Sequence, residues 1–131
     1  MELDYQRIDA ELLAGLEQLP DLNITRENVD SVRATLAARP SAAPVDVMEA
    51  QYKVQCDGKG AALYVYRKSN RKNQPVLLWI HGGGYILGTA EDDRAKGIAK
   101  KLDCTVISVD YRLAPEHPFP AGLNDCHAAL C

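Results

Sequence analysis

The chain has 131 residues and a mass of 14.4 kDa, enough for one domain or part of one. Its 47% hydrophobic and 25% charged residues exclude a disordered tail, a collagen-like repeat and a mucin-like stalk. Net charge is −3, divided between an acidic stretch (residues 1–50, four Arg against ten Asp or Glu) and a mildly basic one, too mild to be a footprint for nucleic acid.

Ile8, Leu12, Leu16 and Leu19 recur at helical spacing over residues 3–19, and Pro20 closes that segment. The start, MELDYQRIDAELL, lacks the basic-then-apolar order of a signal peptide, so the expected compartment is the cytoplasm. Thr25 reads as the N-cap of a second helix. Ile24 and Val29 fit a hydrophobic staple there, and Val32 and Leu36 continue the stripe until Arg39-Pro40. The run Pro40-Ser41-Ala42-Ala43-Pro44 is a linker by composition. The expected division is therefore 1–44, helical segment and linker, and 45–131, an α/β unit.

Strand signals follow. Tyr52, Val54 and Cys56 alternate with polar residues, Asp57 to Gly60 is a turn, and Ala61 to Tyr66 resumes extended character, which predicts a hairpin. Val76 to Ile80 is instead apolar without interruption. It is too short to cross a bilayer, and it predicts a strand covered on both faces in the middle of a parallel sheet. Thr89 with Asp92 suggests a capping box for a helix that buries Ala95, Ile98, Ala99 and Leu102. Thr105 to Val109 is a second apolar strand, completing a βαβ unit, and Ala121 to Leu130 begins a further helix.

Cys56, Cys104, Cys126 and Cys131 include no CxxC pair, so neither a disulfide framework nor a zinc site is expected. Cys126, His127 and Cys131 are close in sequence, but only His127 and Cys131 share a helical face; the cysteines are expected in the core. No metal and no organic cofactor are expected.

The chemistry concentrates in His81-Gly82-Gly83-Gly84-Tyr85, between the first parallel strand and its helix, where open α/β sheets bind ligands. Without Cβ atoms the glycines let a ligand lie on the backbone, and their N–H groups can meet an anion. Phosphate fails on spacing: Gly82, Gly84 and Gly88 make G-x-G-x-x-x-G, one residue longer than the dinucleotide fingerprint, and no G-K-[ST] follows. A loop of HGGG type after a strand is instead the oxyanion donor loop of lipases and esterases. His81 would brace that loop and not serve as the base. Downstream, Asp110, Tyr111, Arg112 and Glu116 read as structural, with an Arg112–Glu116 ion pair and with Pro115, Pro118 and Pro120 stiffening the loop. His117 and His127 read as surface or packing residues.

HGGGYILG at 81–88 followed by DYRLAPEHPFPAGLNDCHAAL at 110–130 resembles the hormone-sensitive-lipase-like branch of the α/β-hydrolases. The resemblance covers residues 45–131; residues 1–40 resemble loosely the helical cap with which such enzymes begin. It implies an α/β-hydrolase fold, truncated here and preceded by a helical cap segment, and hydrolysis of small carboxylic esters without metal or cofactor. By position, Gly83 and Gly84 would be the oxyanion donors, with Gly82 shaping the turn and His81 supporting it.

One part of the pattern is missing. The nucleophile elbow G-x-S-x-G does not occur, and the serines at 31, 41, 69 and 108 lack the flanking glycines. The family's acid and base come later than the elbow. These 131 residues alone are therefore expected to be inactive. The alternatives are a non-catalytic remnant that binds a small ligand, or one that self-associates through an exposed sheet edge.

Overall fold

The computed structural model describes residues 8–17, 23–38, 46–56 and 58–131. Four strands form one mixed sheet: β1 (Met48–Cys56), β2 (Lys59–Arg67), β3 (Val76–Trp79) and β4 (Thr105–Asp110), in the order β1-β2-β4-β3. The hairpin is longer than the alternation predicts, with Met48 opposite Arg67 and Cys56 opposite Lys59 across a turn through Gly58. β2 pairs antiparallel with β4, and β3 pairs parallel with β4, Leu77 opposite Val106 and Trp79 opposite Ser108.

Successive side chains of a strand point to opposite faces, and here each face meets a different helix. Leu77, Trp79, Val106 and Tyr66 join Ala95 and Ala99 of α3 (Asp93–Leu102) in one core. Leu78, Ile107, Val109 and Leu63 join Cys126 and Ala129 of α4 (Ala121–Leu130) in the other. This two-sided cover is why β3 and β4 are apolar without alternation.

The expected place of β3, inside a parallel sheet, is corrected. Among the described strands its one partner is β4, and Val76 and Ile80 are 64% and 48% exposed. The antiparallel hairpin occupies the other flank of β4, so the sheet is mixed.

Two further helices, α1 (Ala10–Glu17) and α2 (Val29–Ala37), come from the acidic stretch. The N-cap of α2 is Asn28 and not Thr25. The Asn28 side chain turns back, accepting the Thr25 N–H at 2.8 Å and donating to the Asn23 carbonyl at 2.7 Å, so the chain completes a turn before the helix begins. Val29 is buried, but with Asn28 as the cap it is the first helical residue, so the expected Ile24–Val29 staple is out of register, although both side chains line one cavity. Asp92 caps α3 by accepting the Arg94 N–H at 2.8 Å; Thr89, expected in that role, accepts from Glu91 N–H in the preceding turn. Leu102, expected to be buried, is 66% exposed at the helix end. Leu19, Pro20, Arg39, the linker 40–44 and Asp57 lie outside the described residues. Among the described residues no helix is long and apolar enough to cross a membrane.

Candidate active site

Parallel pairing brings the ends of β3 and β4 out at one edge of the sheet, and so places the segments 81–88 and 111–120 side by side. His81 leaves β3 and turns inward, with only 3% of its surface exposed. Tyr111, leaving β4, stacks on the imidazole with ring centroids 4.2 Å apart, and its hydroxyl donates to the His81 carbonyl at 2.6 Å. His81 Nδ1 lies 2.9 Å from the Gly82 carbonyl, which can only accept, so that nitrogen carries the proton. Nε2 then holds a lone pair; it is buried and has no partner among the described residues. His81 is thereby packed against the loop, its ring stacked on Tyr111.

These contacts decide where two N–H groups point. In a planar trans peptide the carbonyl and the next N–H point in opposite directions. The Gly82 carbonyl faces His81 Nδ1, so the Gly83 N–H faces away from the imidazole. The Gly83 carbonyl accepts from Ile86 N–H at 3.1 Å and Leu87 N–H at 2.9 Å, so the Gly84 N–H faces away from that turn. Among the described residues neither N–H has a backbone acceptor, and both glycines are exposed. Gly83 has φ +126°, and a Cβ there would collide with the Leu87 carbonyl; one at Gly88 would collide with the His81 ring. Both positions demand glycine. Gly82 and Gly84 open onto free space, with nothing within 4 Å of where a Cβ would stand.

Tyr85 takes the left-handed conformation at φ 61°, which costs a non-glycine residue about 1 kcal/mol or more. Its carbonyl accepts the Ala114 N–H at 2.8 Å and its ring tilts onto Tyr111, which hold it there. Beside it, Tyr85, Ala114, His117, Phe119 and Leu123 line an apolar cavity of about 340 Å³. A second cavity of about 730 Å³ runs past His81, Gly82 and Gly88 to the start of α3.

The ion pairs differ from the expected one. Arg112 closes on Asp125 at 2.7 Å, and Glu116 is held by Arg33 at 2.8 Å. Asp125 lies on α4 directly against the loop, and Arg33 reaches over from α2; both are nearer in space than any sequence neighbour suggests. The Arg33 guanidinium holds the Glu116 carboxyl down to about 2. Burial pushes the Cys126 thiol up, as befits a core cysteine, whereas Cys131, expected in the core, is exposed beside His127. Among the described residues no three side chains are grouped to hold a metal ion.

Arg33 and Asp125 are the residues around the loop that motif reading missed, and Tyr111, read as structural, is the one that packs against His81. The signal for Tyr111 is its place: it follows β4 as His81 follows β3, and parallel neighbours end at the same edge. Of the four serines, Ser41 lies outside the described residues. Ser31 donates to the Asn28 carbonyl, Ser69 to Asp103, and Ser108 is fully buried in β4.

Comparison with known proteins bears on the fold. Residues 77–131 match the family model of the α/β hydrolase fold. The chain is 52% identical over 62 residues to carboxylesterase NlhH of Mycobacterium tuberculosis, covering 46% of this chain and 19% of that protein. It is 34% identical over 129 residues to esterase LipI of the same organism, covering 93% of this chain and 40% of LipI. Among solved structures, a bacterial heroin esterase superposes with a TM-score of 0.76 at 36% identity, over 98% of this chain and 43% of that one. The chain has the α/β-hydrolase fold, and its similarity is to esterases of the hormone-sensitive-lipase-like family. It spans between about one fifth and two fifths of the length of these relatives.

Proposed function

We propose that this chain supplies the oxyanion-binding half of a carboxylic ester hydrolase. A substrate carbonyl oxygen rests on the Gly83 and Gly84 N–H groups, Gly82 shapes the turn, and His81, clamped by Tyr111, supports it from below. When a serine nucleophile attacks, the carbonyl oxygen becomes an oxyanion, and donors already aimed at it need no rearrangement. Each such donor contributes about 3–4 kcal/mol of transition-state stabilisation. The apolar cavity beside Tyr85 suits a short acyl or aryl group of the ester.

The observation that carries this reading is the pair of locked peptide planes, Gly82–Gly83 and Gly83–Gly84, each turned by a carbonyl hydrogen bond on its far side. An inert glycine turn has no need of a buried, stacked histidine to hold it. Nucleophile, acid and base are not among these 131 residues, so the isolated chain has donors but no attacking group. Purified, it is expected to hydrolyse p-nitrophenyl acetate and butyrate no faster than a protein blank. A stable organophosphonate adduct on Ser31, Ser41, Ser69 or Ser108 would refute that expectation.

A second reading rests on the exposed flank of β3, where Val76 and, just past the strand, Ile80 are open to solvent. An apolar strand with one free edge pairs readily with another chain. On this reading the chain is a self-associating remnant that binds a small ligand in the loop without turning it over.

A further inference from the structure

Helix α2 and the glycine loop are joined through one side chain. Arg33 donates from Nε to the Ile86 carbonyl at 3.0 Å and from Nη2 to the Ala114 carbonyl at 2.8 Å. Its two terminal nitrogens grip the Glu116 carboxylate at 2.8 and 3.1 Å, and one also meets Asp30 at 3.3 Å. With its side chain 25% exposed, Arg33 is largely enclosed by these partners.

The Nε contact has a consequence two peptides away. The Ile86 carbonyl shares its peptide unit with the Leu87 N–H, which donates to the Gly83 carbonyl at 2.9 Å. The Gly83 carbonyl shares its unit with the Gly84 N–H. Guanidinium, Ile86–Leu87 peptide and Gly83–Gly84 peptide thus form one line of hydrogen bonds, every donor pointing the same way. Bonds in such a chain polarise one another, and here the cation stands at the end that makes the last N–H a stronger donor. The fork divides the work, since Glu116 engages the terminal nitrogens and leaves Nε to the loop.

We propose that Arg33 is a positioning residue for the Gly84 donor, orienting and polarising it through the Ile86–Leu87 and Gly83–Gly84 peptides. The proposal rests on the oxyanion reading of the loop. Lysine keeps the charge and can reach one carbonyl, but it cannot reproduce the fork. Methionine keeps only the apolar stem.

The kinetic test uses the catalytically complete protein that carries these residues, with p-nitrophenyl acetate as substrate. Arg33→Met is expected to lower kcat roughly tenfold, as slight misplacement of a catalytic group does. KM should stay within about twofold, because the bond to the oxyanion strengthens only in the transition state. Arg33→Lys should recover part of the loss. Unchanged kcat, or a loss wholly in KM, overturns the proposal. Gly83→Val is the separate arm for the underlying reading: if kcat survives that change, the loop is not the donor site, whatever Arg33 does.

The second measurement needs no activity. Hydrogen exchange followed by mass spectrometry on the catalytically complete protein should show the segment 83–88 exchanging about tenfold faster in Arg33→Met, with β4 unchanged. Equal rates in the loop, or acceleration spread evenly through β4, overturn the relay.

Discussion

The Asp125 carboxylate, wholly buried on α4, accepts the Arg112 backbone N–H at 2.9 Å and the Arg112 guanidinium at 2.7 Å. One side chain thereby fixes both the main chain and the side chain of the residue that follows Tyr111. Burial pushes the Asp125 carboxyl up, but the hydrogen bonds and charge of Arg112 outweigh it and hold the group below the ordinary range. The pair ties α4 to the loop that braces His81.

Removing one partner of a buried, hydrogen-bonded ion pair is strongly destabilising. Asp125→Ala is therefore expected to destabilise the chain by about 3–5 kcal/mol, read from chemical denaturation. A loss below about 1 kcal/mol, the range of exposed pairs, would show that the contact does not hold α4 to the loop.

Gly83 and Gly84 should respond differently to the same added methyl group. At Gly83 a Cβ meets the Leu87 carbonyl, so alanine must push apart the turn that fixes the Gly84 N–H. At Gly84, φ is +63° and the space is open, so alanine costs only about 1 kcal/mol of backbone strain. In a catalytically complete protein, Gly83→Ala should lower kcat by about a hundredfold or more, the loss typical of one missing oxyanion donor. Gly84→Ala should be milder. Equal effects would mean that the steric contact with Leu87 is not what shapes the donors.

Acid should loosen the contact between α2 and the loop. The folded Glu116 carboxyl sits at about 2, whereas an unfolded glutamate titrates near about 4.3. A depressed carboxylate contributes stability that is present above the unfolded value and is lost as pH falls toward the folded one. The stability gap between the wild type and Glu116→Gln, followed by thermal unfolding, should be open at pH 6 and close between about pH 4 and 2. A gap that is constant over that range would separate Glu116 from the stability of this contact.

The free edge of β3 should make the chain self-associate. Val76 is 64% exposed beside an unpaired strand backbone, and a charge at such an edge discourages pairing. Sedimentation should find oligomers or aggregate in the wild type and a shift toward monomer in Val76→Lys. A monodisperse wild-type monomer with a sharp cooperative transition would show that this edge needs no partner.

How much of this was legible beforehand depended on the range of the interaction. The hairpin, the two apolar strands and the helix at Ala121–Leu130 follow from local periodicity and turn chemistry, and the sequence by itself determined them. It also marked the glycine loop, because three glycines after an apolar strand answer to few other uses. Tertiary structure alone decided what aims that loop. The partner of Arg112 is Asp125 and not the nearer Glu116, and the partner of Glu116 is Arg33, 83 residues away. Charged side chains select partners by where packed elements place them, and nothing in local spacing encodes that placement. The cap of α2 was misplaced for a similar reason: Asn28 spends its side chain on the turn behind it, a choice between two local hydrogen-bonding patterns that only the folded chain resolves.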